Sequence, residues 1–144
     1  MKIFLDTNIV VSVLNKEYPL FTYTSRILSL ADKSKFEIYT SPVCLAIAFY
    51  FAEKKYKSVS AKNKVRILCE HITVSSVNKN TVLKTLQNSA VNDFEDGLEY
   101  YSAAESKCDC IITEDIDDFY FSEIEVLRSE HFFEKYLANK PRKQ

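Results

Sequence analysis

Five short apolar runs, separated by residues with helical spacing, constrain the fold of this chain more than any other feature. Lys2-Ile3-Phe4-Leu5 stops abruptly at Asp6, Phe36-Glu37-Ile38-Tyr39-Thr40 alternates, and Ile72-Thr73-Val74-Ser75, Cys110-Ile111-Ile112-Thr113 and Glu125-Val126-Leu127 complete the set. Between them Ile9, Val10, Val13 and Leu14 recur at helical spacing, and Ser25 to Lys33 reads as a helix. Ser41-Pro42 supplies an N-cap and first helical residue for a buried helix from 43 to about 56. Ala61 to Glu70 reads as a basic amphipathic helix, Lys79 to Leu86 as a helix capped by Asn78, and Asn92 or Asp93 caps another running to about Ser106. Ser129 caps a last helix, Glu130 to Leu137. Strands alternating with helices of this length predict an α/β fold with a parallel sheet covered on both faces. At 144 residues, 47% of them hydrophobic, the chain suits one domain over residues 1–139, with Lys140-Pro141-Arg142-Lys143-Gln144 as a basic disordered tail.

Composition excludes several functions. Gly97 is the only glycine, so neither a G-x-G-x-x-G turn nor a G-x-x-x-x-G-K-[ST] loop can cradle a phosphate. Gly97 falls inside a predicted helix, where glycine costs about 1 kcal/mol relative to Ala; it either permits close approach of another element or is a tolerated defect. The most apolar stretch, Val43 to Ala52, is followed by Glu53-Lys54-Lys55 and is too short to span a bilayer. The amino terminus has no basic n-region ahead of an apolar segment, so a cytoplasmic location is expected. Cys44, Cys69, Cys108 and Cys110 lie in core-like segments and read as buried reduced thiols; Cys108-Asp109-Cys110 has no second pair to complete a zinc site.

A net charge of -1 conceals an asymmetry. Residues 1–91 carry 13 Lys and Arg against 6 Asp and Glu, and residues 92–139 carry 3 against 14. This fits either a cation-binding pocket beside a surface for a polyanion, or solvated surface of mixed sign. The basic residues in question are Lys54, Lys55, Lys57, Lys62, Lys64 and Arg66.

Ligands of open α/β sheets bind outside the carboxyl ends of the strands. Asp6 ends one predicted strand, Asp115 with Asp117 and Asp118 follows another, and Asp96 lies in the first turn of the helix before that second strand. Three acids from distant segments gathered without basic partners repel one another, and such a cluster calls for a divalent cation. Oxygen ligands without His or Cys favour Mg²⁺ or Mn²⁺, and hydrolysis of a phosphodiester follows naturally from that chemistry. Each acid also has a plain structural role open to it. Asp93 reads first as an N-cap, Asp117 as solvated, and Asp118 either caps the turn after its strand or joins the site.

The opening Ile3-Phe4-Leu5-Asp6-Thr7-Asn8-Ile9, the block Asp93-Phe94-Glu95-Asp96-Gly97-Leu98-Glu99-Tyr100-Tyr101, and Ile111-Ile112-Thr113-Glu114-Asp115 with Asp118-Phe119 together resemble the PIN-domain nucleases. That family contains the ribonuclease toxins of many bacterial toxin–antitoxin pairs. The resemblance implies a three-layer α/β/α sandwich with a mostly parallel sheet and Mg²⁺- or Mn²⁺-dependent cleavage of RNA. It implies Asp6, Asp96 and Asp115 as metal ligands, Asp118 near the site, and Asn8 and Thr113 as polar supports. An antitoxin protein is the implied partner, and dimers are common among such toxins. One departure stands out: the family places a glutamate in the helix after the second strand, near Ile47 here, and Pro42 to Tyr50 contains no acid. Glu53 lies far around and along the helix from that position. Glu99, one turn after Asp96, or Asp93, one turn before it, is the better-placed stand-in.

Two other readings compete. Without the helix glutamate the chain could be a catalytically silent PIN-like module that binds RNA or protein, with the basic segment from Lys54 to Arg66 holding phosphates. The opening Asp6-Thr7-Asn8 is also similar to the D-x-D of haloacid dehalogenase-like phosphatases, with Asp6 as nucleophile. There Asn8 replaces the second acid, and an amide cannot transfer the required proton.

Overall fold

The computed structural model describes residues 1–138, so the tail expected at 140–144 lies outside the described residues. The first strand is the middle of the sheet. β1 (Lys2–Leu5) pairs in parallel with β2 (Glu37–Thr40) on one side and with β4 (Cys110–Ile112) on the other. β3 (Thr73–Val74) and β5 (Glu125–Leu127) form the edges, giving the order β3-β2-β1-β4-β5. All four pairings are parallel, sharper than the mostly parallel sheet the resemblance implies. The connections hold helices α1 (Thr7–Asn15), α2 (Phe21–Ser29), α3 (Pro42–Tyr56), α4 (Ser58–His71), α5 (Lys79–Gln87), α6 (Phe94–Glu105) and α7 (Ser129–Phe133).

Side chains alternate across a strand, and here both sets are buried. Ile3, Leu5, Ile38, Cys110 and Ile112 pack with Ile9 and Val10 of α1, Ile27 of α2, Ala48 and Ala52 of α3, Leu68 of α4 and Phe132 of α7. Phe4, Tyr39 and Ile111 face the other way, onto Tyr100 and Ala103 of α6 and onto Phe119. The result is the α/β/α sandwich, and double burial explains why the central strands read as continuous apolar runs. Among the described residues, no helix is long and apolar enough to cross a membrane.

Most helix starts follow their sequence signals. Ser41 Oγ accepts from the Cys44 amide at 3.2 Å with Pro42 in the first turn, Asn78 and Thr81 form a reciprocal capping box, and Asp93 accepts from the Asp96 amide at 3.1 Å. Two expectations are corrected. α2 begins at Phe21 rather than Ser25 and ends in a 3₁₀ turn at Leu30–Asp32. Ser129 does not cap α7, because its hydroxyl donates to Glu114 at 2.5 Å; the helix stops at Phe133 and passes into a π turn, Glu134–Ala138. The glycine-poor chain makes its left-handed turns with lysine: Lys16, Lys57 and Lys107 have φ of 52°, 66° and 59°, a conformation that costs roughly 1 kcal/mol for a residue bearing Cβ.

Gly97 permits a close approach. A Cβ on α6 at this position would lie 2.4 Å from Thr85 Cγ2 of α5 and 2.7 Å from Val91 Cγ1. Gly97→Ala is therefore expected to destabilise the protein by about 1–2 kcal/mol in urea unfolding, because with overlaps this severe the overpacking cost of roughly 2–3 kcal/mol outweighs the helix-propensity gain of about 1 kcal/mol. Adding Thr85→Ser, which deletes Cγ2 but keeps the hydroxyl that donates to the Thr81 carbonyl, is expected to restore part of the loss. A fully stable Gly97→Ala protein would contradict the close-packing role.

Candidate active site

The register Leu5↔Ile112 makes the next residue of each central strand a neighbour of the other. Asp6 extends the ladder with its amide on the Ile112 carbonyl at 3.0 Å, and its carboxylate is then held at both oxygens. Oδ1 caps α1 by accepting from the Thr7 amide at 2.7 Å, while Oδ2 accepts from the Thr113 hydroxyl at 2.7 Å. Thr113 Oγ1 accepts in turn from Asn8 Nδ2 at 3.2 Å and from the Asp115 amide at 3.0 Å. Asn8 Nδ2 also donates to Asp115 Oδ2 at 3.1 Å, and Asn8 Oδ1 accepts from the Glu114 amide at 3.3 Å. Asp6, Thr113, Asn8 and Asp115 are thus one hydrogen-bonded chain across the carboxyl ends of β1 and β4.

This chain forms one end of an open cleft of about 550 Å³. Asp6, Glu17, Asp93, Glu95, Asp96, Glu114, Asp115 and Asp118 line it, with Val11, Leu20 and Phe51 as an apolar wall, and no Lys, Arg or His among them. Like charges in a partly buried setting hold protons. The Asp96 carboxyl is pushed up to about 7 by burial and then by Asp93, Asp6, Asp118 and Glu95. Burial also raises Glu95, reinforced by Asp93 and Asp6, and raises Asp118, reinforced by Asp115 and Asp6.

Behind the cleft lies a buried floor. Glu99 of α6 is fully buried; its Oε1 accepts from the Thr7 hydroxyl at 3.0 Å, and its Oε2 has no hydrogen-bond partner. Burial, the contact with Asp6 and the neighbouring Cys44 hold this carboxyl well above the usual range. Cys44, at the start of α3, is buried beside it, and one ligating atom from each of Asp6, Cys44 and Glu99 lies within 4.8 Å of the others.

Of the residues marked in the sequence, Asp6, Asp96, Asp115, Asp93, Asp118 and Asn8 meet at the cleft, and Asp93 both caps α6 and lines it. Thr113 and Glu99 sit behind it, fully buried, so Glu99 is a floor residue rather than a member of the lining. Asp117 is exposed and outside the cleft. Glu17, Glu95, Glu114 and Cys44 were not expected there; Glu95 and Glu114 stand next to marked acids, whereas nothing in the sequence near Glu17 or Cys44 signals the placement. Ile47 does not line the cleft, and α3 contributes Phe51, one turn later, instead.

The six basic residues of α3 and α4 and their junction also stay out of the cleft. Lys55 donates to the Asn15 carbonyl at 2.5 Å, and Arg66 donates to Glu70 at 2.8 Å and to Asn63 at 2.6 Å. Lys54 lies over Tyr50 at 4.1 Å from the ring centroid and Lys64 over Tyr56 at 4.2 Å. Lys57 and Lys62 are exposed. Among the described residues Cys69 is only half-buried, unlike the three other thiols, and all four cysteines are free.

A parallel α/β/α sandwich with an uncompensated acidic cleft at the carboxyl ends of its central strands defines a class of proteins built to gather carboxylates at one sheet edge. The sequence matches the PIN domain family over residues 2–117, and the chain belongs to that family. It is 26% identical over 138 residues to Ribonuclease VapC1 of Aquifex aeolicus, covering 94% of this chain and 95% of that protein. Similar solved structures include VapBC2 of Rickettsia felis bound to a DNA fragment from its promoter, with a TM-score of 0.69, 19% identity, and 89% of this chain and 98% of that chain covered. Another is VapC20 of Mycobacterium tuberculosis, a sarcin-ricin loop cleaving toxin, with a TM-score of 0.64, 15% identity, and coverage of 85% and 98%. At these identities the structural likeness is one of fold.

The raised Asp96 carboxyl has a consequence for stability. The folded state holds this proton more tightly than the unfolded state, so the associated stability is present below the ordinary carboxylate range and is lost as pH rises from ~4 through about 7. In chelator, the melting temperature is expected to fall across that window and Asp96→Asn to flatten the fall, making the variant the more stable protein at pH 8. Identical pH profiles for the two proteins would contradict this account of the cleft.

Proposed function

We propose that this chain is a metal-dependent endoribonuclease, the cytoplasmic toxin of a toxin–antitoxin pair, with Asp6, Asp96 and Asp115 as its metal ligands. The observation that carries the reading is the concentration of eight carboxylates in one cleft without a cationic side chain. Support also comes from the 26% identity to a ribonuclease and from the fold shared with VapBC complexes.

The donor set fits a hard divalent cation. Every polar group at the mouth offers oxygen, which favours Mg²⁺ or Mn²⁺, and a partly protonated Asp96 is a group whose proton a cation would replace. Asp6 and Asp115 are already oriented, by Thr7 with Thr113 and by Asn8 respectively. Asp93, Asp118 and Glu95 complete the negative rim. A bound cation supplies Lewis-acid polarisation of a phosphoryl oxygen and a water acidified toward neutrality. The residues of the chain hold the site in shape: Thr113 fixes Asp6, Asn8 fixes Asp115, and Phe51 offers an apolar wall against which a base can lie. Of the six basic residues of this segment, Lys54, Lys57, Lys62 and Lys64 make no hydrogen bond or ion pair through their ammonium groups, and they suit an RNA backbone outside the cleft. Asn8 is committed as an amide linking Glu114 and Asp115, which leaves the phosphatase reading without its general acid.

A second reading, a catalytically silent RNA- or protein-binding module, is favoured by one observation: α3 turns Phe51 rather than an acid to the cleft. An assay on structured and unstructured RNAs separates the two. Cleavage is expected with Mn²⁺ and not with chelator, and Asp6→Asn and Asp115→Asn are each expected to lower its rate about a hundredfold or more. RNA binding without Mn²⁺ uptake or cleavage would decide for the silent module.

A further inference from the structure

The residues that the cleft itself does not use are on its floor. We infer that Asp6, Cys44 and Glu99 form a site for one thiophilic divalent cation of the Zn²⁺ class, seated beneath the acidic cleft and sharing Asp6 with it. Three observations carry this. The ligating atoms of the three residues lie within 4.8 Å of one another and all three side chains are buried. Glu99 Oε2 is buried with no hydrogen-bond partner, although its sister oxygen is held by Thr7; an unmet buried carboxylate oxygen is costly unless a ligand meets it. Third, Cys44 brings sulfur into a cluster that is otherwise oxygen.

The geometry is close to what such an ion needs. Zinc–sulfur bonds of about 2.3 Å and zinc–oxygen bonds of about 2.0–2.2 Å put tetrahedral ligand atoms about 3.5 Å apart, so rotations that draw the three atoms in by about 1 Å close the site. The approach runs through Asp6 and Thr7, which line the cleft while touching the floor. That side leaves the fourth position to water. Binding forms a metal–sulfur bond and metal–oxygen bonds; the Cys44 thiol proton, and the Glu99 proton where present, pass to solvent, with no change of oxidation state. A thiolate with two carboxylates selects Zn²⁺, Co²⁺ or Cd²⁺ over Mg²⁺. Because Asp6 serves both places, floor occupancy excludes the cleft cation and Zn²⁺ inhibits; this last clause alone rests on the ribonuclease reading.

Co²⁺ reports the site directly through thiolate-to-metal charge-transfer absorption. The full chain in a non-thiol reductant is expected to take up one equivalent of Co²⁺ with that band, to lose it when Zn²⁺ is added, and to keep it under a large excess of Mg²⁺. Cys44→Ser is expected to abolish the band and weaken Zn²⁺ binding about tenfold or more, and Cys69→Ser to leave both unchanged. Glu99→Gln, whose amide oxygen still accepts from Thr7 and so preserves the fold, is expected to weaken Zn²⁺ binding about tenfold or more. Absence of the band in the natural sequence, a band that survives Cys44→Ser, or unaltered Zn²⁺ affinity in Glu99→Gln would each overturn the proposal. Asp96→Asn separates it from the ribonuclease reading: that variant keeps the Co²⁺ band and loses Mn²⁺-dependent RNA cleavage. A protein that shows the band but never cleaves RNA refutes the ribonuclease reading alone, and cleavage without the band refutes the floor site alone.

Discussion

Both oxygens of Asp6 are engaged, and the arrangement of the carboxyl edge depends on that pairing. One oxygen caps α1 and so sets where the helix after β1 begins; the other receives the Thr113 hydroxyl and so ties β1 to β4. Through Thr113 the constraint reaches Asn8 and Asp115, and through Thr7 it reaches Glu99. A single charged side chain thereby serves the fold and presents its charge to the cleft. An N-cap contributes about 1 kcal/mol, and a hydrogen bond to a charged acceptor about 1.5–3 kcal/mol. Contributions of that size offset part of the cost of holding Asp6 almost buried in an acidic neighbourhood.

The same arrangement sets stability against charge. Eight carboxylates share the cleft, and their crowding and burial favour bound protons: the Asp96 carboxyl is pushed up to about 7 and that of Glu95 is raised, as is that of Glu99 on the floor beneath. Protons and a divalent cation are alternative solutions to one repulsion, so the cleft can fold with protons alone. Among the described residues, no basic side chain lines the cleft to relieve this repulsion. Lys55 and Arg66 satisfy carbonyl and carboxylate partners elsewhere, and Lys54, Lys57, Lys62 and Lys64 are outside the cleft lining. The sign separation seen along the sequence therefore persists in space.

Much of this was legible in the order of residues, for reasons that are local. Asp6 and Asp115 were visible because an acid that ends a buried strand must sit at the carboxyl edge of a parallel sheet, and Asp96 because it occupies the first turn of a helix capped by Asp93. The central strands were legible because double burial makes them uniformly apolar. What stayed hidden depends on how separate elements pack. Cys44 has the spacing of any core cysteine, and only the packing of separate elements brings its sulfur near Asp6 and Glu99. Glu99 shares a helical face with Asp96, yet one turn deeper on α6 is the difference between the cleft and its floor. Gly97 carried two readings until the approach of α5 decided between them. Ser129 looked like a cap because nothing local shows that Glu114 will claim its hydroxyl.

The missing helix acid is best understood together with Phe51 and Glu99. α3 carries no acid near Ile47; its contribution to the cleft lining is Phe51, and Val11 of α1 and Leu20 are the other apolar residues there. With no acid from α3, the lining carboxylates come from the end of β1, the α1–α2 connection, α6 with its cap and the segment after β4, and the cleft combines them with one aromatic ring. On the ribonuclease reading, that combination suits a substrate with two unlike parts, a charged phosphate that a cation can bridge to carboxylates and a flat base that can lie on a ring. Glu99 reaches the Thr7 hydroxyl and Asp6 from beneath, so α6 sends acids both to the cleft, at Glu95 and Asp96, and to its floor, where α3 brings only the Cys44 thiol.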